Sequence, residues 1–166
     1  MARSHADTLQ TINPLYGIMA SDLLQNQKQP YNTLQHLQEL EQIQPDNLRL
    51  LREIASFYER KGSGCSDSCV LYCTRILENN PGDEWAVKML YRKLPSEKKD
   101  DFMPYLLSYL DHVSTGHNYH KSIGLRLLGY YFRDLGDIAK SKGFLAAANY
   151  LNPNNNNTYL EDNFQP

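Results

Sequence analysis

Apolar positions recur at steps of three and four along most of the chain, in helix-length runs separated by short polar punctuation rich in Pro, Gly, Asn and Asp. That period lays one apolar stripe along a helix, and nothing in the chain alternates as strands do. The first pair of runs predicts helices over Leu15 to Gln25 and Tyr31 to Gln42, with Leu37 and Leu40 facing back toward the small pair Ala20-Ser21. In the second pair, Ala55 and Tyr58 mark one helix, Gly62 the turn, and Cys69, Cys73 and Ile76 the other. A stripe of this kind cannot bury itself, so each pair must lie against its neighbours. The expected fold class is all-α.

The punctuation is periodic. Pro45 and Pro81 stand 36 residues apart in QIQPDN and ENNPGD, each followed by a polar pair that opens a helix. Pro153 closes LRLLGYYFRDLGDIAKSKGFLAAANYLNP, which has small residues where two helices would cross (Gly129, Ala148) and a glycine between them (Gly136). These features resemble the tetratricopeptide repeat, a helical hairpin of 34 residues that stacks into a solenoid. Counting back from Pro153 gives about four repeats: roughly 14 to 47, 48 to 83, 84 to 119, and on to Pro153. The third is irregular. Tyr91 stands where a small residue is expected, so its helices must splay or cross differently. Pro95 ends its first helix, and Ser96 opens a second, amphipathic over Phe102 through Val113. A TPR-like solenoid over 14–153 is thus expected, between an extension at 1–13 and an Asn-rich tail at 154–166.

Composition narrows the function more than it defines it. A net charge of -2 at 41% hydrophobic residues and a mean hydropathy of -0.60 identifies no partner by charge alone. No run approaches 18 apolar residues and no charged-then-apolar leader opens the chain, so neither a membrane span nor a secretory signal is expected. Three cysteines, an odd number, suit a reducing, intracellular compartment. Cys65, Cys69 and Cys73 are spaced by four, which spreads their sulfurs along about 12 Å of helix instead of gathering them as Cys-x2-Cys does. They read as buried thiols, and no metal is expected. His112, His117 and His120 match no ligand spacing and read as surface residues. No Gly-rich phosphate loop, GxSxG or HExxH occurs, so no enzyme, cofactor or small-molecule substrate is expected.

In tetratricopeptide repeats, positions 2, 5, 9 and 12 of the first helix line the concave groove. The resemblance places Arg49, Arg52 and Ser56 there from the second repeat; Trp85, Lys88 and Arg92 from the third; and Arg126, Tyr130 and Arg133 from the fourth. Position 5 then carries Arg52, Lys88 and Arg126, a ladder of one sign suited to an acidic peptide or to nucleic-acid phosphates. Solvated helix faces also carry such residues, balanced here by Glu53 and Glu59. The carboxylate clamp for chaperone tails is not met: Lys88-x3-Arg92 falls at positions 5 and 9, and Ile18 and Asp22 stand where that clamp needs Lys and Asn.

The stretch from about 45 to 135 is also similar to the tetratricopeptide component of the RNA polymerase I core promoter factor (selectivity factor I in animals, with a fungal counterpart). The likeness rests on PDNLRLLREIASFYERKGS, on VLYCTRILENNPGDEWAVKMLYRKLPSEKKDDFMPYLLSYLDH and on LGYYF. It is a likeness of pattern, without a ligand or catalytic motif, and residues 136–153 match the generic repeat better. The animal protein is longer at its N-terminus. The resemblance implies a nuclear, nucleolar scaffold whose partners are the other core-factor subunits and RNA polymerase I, with possible contact to the DNA backbone. No functional residue is carried over from that family.

Overall fold

Two of the helix starts are set by the polar residues that follow Pro45 and Pro81. The computed structural model describes residues 30–62, 64 and 66–153. In it α1 runs Pro30–Ile43, α2 Leu48–Lys61, α3 Ser66–Asn79 and α4 Glu84–Lys93. A 3-10 helix, Ser96–Phe102, leads into α5 (Met103–Val113), then α6 (Asn118–Asp134) and α7 (Ile138–Leu151). Asn47 accepts from the amides of Arg49 and Leu50, Asp83 from Ala86, and Asp137 from Lys140, so each cap satisfies donors the helix leaves open. Gly62 and Gly136 end α2 and α6 at φ 92° and 80°, a region other residues enter at a cost. The expected helix over Leu15 to Gln25, Cys65, and the segments 1–13 and 154–166 lie outside the described residues.

The chain forms two compact units. Of the described residues the first holds α1, α2, α3 and Arg92–Leu94; the second holds Pro81–Tyr91 and everything from Pro95 onward. In the first, α2 and α3 form the close pair, with Leu50, Leu51, Ile54, Ala55, Cys69, Cys73 and Ile76 sealed between apolar faces. Burial of the last three agrees with the thiol reading of this helix. Glu41 ties α1 to α3: it accepts from the Tyr72 hydroxyl at 2.8 Å and pairs with Arg75, whose other nitrogen reaches the Pro45 carbonyl at 2.9 Å.

In the second unit α6 and α7 make the tightest pair, and Gly129 is why. A Cβ there would lie 2.7 Å from Leu145 Cγ and 3.3 Å from the Ser141 carbonyl, so the helices meet backbone to side chain. Ala148 is fully buried on the same side. Gly124, which the repeat pattern does not single out, plays the same part toward α5: a Cβ there would collide with Leu110 Cδ2. We expect Gly129→Val to destabilise the second unit by about 1–3 kcal/mol, because Leu145 must move and the Ser141 backbone cannot. Urea unfolding followed by Trp85 emission measures it; an unchanged midpoint would contradict the close crossing.

The irregular repeat is resolved by a different connection from the one expected. Ser96–Phe102 coils as 3-10 helix rather than joining the α-helix, opening on an amide of Lys98 bonded to the Pro95 carbonyl at 2.9 Å. Pro104 has no amide to give and its ring blocks a preceding helical turn, so the α-helix can begin no earlier than Met103. Tyr91 is fully buried; its ring lies 5.2 Å from that of Phe102 and 6.4 Å from Tyr130, and its hydroxyl donates to Asp134 at 2.5 Å. Lys99 caps the end of α4 by donating to the Tyr91 carbonyl, with its ammonium 3.9 Å above the Tyr91 ring. The bulky residue is therefore the hub of the repeat, and α4 and α5 do not form a close pair of their own.

Candidate partner-binding site

Within the first unit, α2 turns its apolar residues inward and leaves Arg49 and Arg52 exposed, three positions apart and so on one face. Ser56 and Glu59 continue that face, half-buried, and Arg92 lies 4.0 Å from the Glu59 carboxylate. The first unit thus holds Arg49, Arg52 and Arg92, with Glu53 and Glu59 half-buried on the same helix as the first two.

In the second unit the remaining residues are more deeply set. Lys88 is half-buried and ion-paired with Glu84 in the turn before it. Glu84 also accepts from the Tyr119 hydroxyl at 3.2 Å and faces His120 at 3.3 Å, so one carboxylate ties the first turn of α4 to the first turn of α6. Trp85 is half-buried. Arg126 is only 4% exposed and donates to the Asn149 side chain at 2.9 Å, linking α6 to α7. Tyr130 is 5% exposed against Tyr91, and Arg133 covers its ring at 5.0 Å while holding Asp134 at 3.2 Å. Tyr130 and Arg133 therefore meet in space, as do Arg126 and α7.

By repeat position Arg126 is a groove cation; the signal of its depth is that IGLRLLGYY has apolar neighbours all round the helix and no polar side for an arginine to leave by. His117 is exposed and caps α6 by accepting from the Tyr119 amide at 3.3 Å, a role for which its residue type gives little warning. Among the described residues no cluster of three or more His, Cys, Asp or Glu could hold a metal, and no helix is long and apolar enough to cross a membrane.

Burial raises the Tyr91 phenol far above its usual range, and the bond to Asp134 adds to this. Burial does the same for Tyr72, seconded by Glu41, and for Tyr109, seconded by Glu84. The Cys69 thiol is lowered, chiefly by a hydrogen bond from Cys73 and then by Lys93 and Arg92, against the opposing effects of burial and Glu59. Burial is the first cause of the three tyrosine shifts, and the hydrogen bond from Cys73 that of Cys69.

No family model and no curated protein matches the chain. By fold it is similar to two solved structures of MamA. One, "MamA RS-1 ArsTM double mutant", is 16% identical, with a TM-score of 0.60 over 82% of this chain and 74% of that one. The other, "MamA MSR-1 C2", is 15% identical, with a TM-score of 0.60 over 83% and 76%. The likeness is one of fold: all-α, built of TPR-like helical hairpins.

Proposed function

We propose that the chain is a protein-interaction scaffold, which holds a segment of a partner against its helical hairpins and performs no chemistry itself. The observation that carries this is the face of α2, where Arg49 and Arg52 stand exposed on a helix whose opposite side, Leu50, Leu51, Ile54, Ala55 and Phe57, is buried in a TPR-like fold. Two guanidiniums one turn apart suit the carboxylates of an acidic peptide, which they can grip with paired hydrogen bonds. Arg52→Glu is expected to weaken binding of a Glu-rich peptide by about tenfold, or about 1.4 kcal/mol, at low salt. Fluorescence anisotropy reads it, and unchanged affinity would sink this face. Arg126→Glu is the poorer test, since it also places a carboxylate in the interior.

The finer reading concerns the partner. The resemblance over 45 to 135 supports a place in the RNA polymerase I core promoter factor, working in the nucleolus beside the other core-factor subunits. Affinity purification from cells decides it: recovered polymerase I factors support the assignment, and a different set without transcription proteins removes it. Contact with DNA phosphates has its own signature, a fall of log K with log salt, and a flat line excludes it.

A further inference from the structure

We draw no further inference here: the strongest candidate, the pair of thiols that Cys69 and Cys73 set one turn apart on the inner side of α3, is sealed in the core between α2 and α3, and nothing among the described residues points to a ligand or oxidant that reaches it.

Discussion

Replacing Tyr91 by alanine is expected to remove about 3–5 kcal/mol of stability from the second unit, the cost usual for truncating a buried aromatic. The ring touches both Phe102 and Tyr130, so its loss leaves a cavity bordered by two elements that cannot both close on it. The Asp134 carboxylate loses its phenol, and the Lys99 ammonium loses the ring beneath it. Small domains hold only about 5–15 kcal/mol in all, so the variant should sit near its unfolding threshold at ordinary temperatures. Tyr91→Phe separates packing from hydrogen bonding: it keeps the ring and should cost only about 0.5–1.5 kcal/mol. Trp85, the single tryptophan, lies in the same unit and reports its unfolding in urea. An alanine variant within about 1 kcal/mol of the parent, on the scale of an ordinary surface substitution, would show that the repeat closes without its hub.

Alkaline pH should unfold the protein steeply. Tyr72, Tyr91 and Tyr109 are buried, and each phenol is raised above its usual value, first by that burial. The sign follows from linkage. Below pH about 10 both states keep the proton and the full contribution of these groups is present. Above it the unfolded phenols ionise while the folded ones do not, so stability falls until the folded values are reached. Each group contributes up to about 1.4 kcal/mol per pH unit, so the second unit, which holds Tyr91 and Tyr109, loses up to about 3 per pH unit and the first, with Tyr72, about 1.4. Phenolate absorbance should therefore show a lagging group of tyrosines that ionises together with the loss of helical circular dichroism. Smooth titration of all twelve tyrosines near pH 10 with the helices intact would refute it.

The fold was legible because its punctuation is chemical. Proline followed by Asn or Asp marks a cap, and a glycine or alanine at a crossing marks a contact; Asn47, Asp83, Gly129 and Ala148 do in the structure what those rules require. The third repeat was legible only as a departure. Tyr91 announces that something must give way, but that Ser96–Phe102 winds as 3-10 helix depends on Pro104, and that Lys99 turns back over the ring depends on tertiary geometry. Candidate binding residues were harder still. A repeat position assigns a direction but not a depth: Arg52 and Arg126 share a slot, yet one is exposed and the other is enclosed against Asn149. What decides depth is the rest of the helix surface, and around Arg126 it is apolar on every side.

The polar bonds between helices have a common reach. Glu41 to Tyr72 spans 31 residues, Glu41 to Arg75 34, Glu84 to Tyr119 35, and the longest of those described, Tyr91 to Asp134, 43. Each is about one hairpin of chain. Contact order is correspondingly low, so the entropy of closing each loop is modest and no distant segment must wait for another. Among the bonds described, a lesion in one hairpin therefore meets its partners within about the next. Sequence can then drift in one repeat while the others keep their structure, leaving the surface of each hairpin free to change partner on its own.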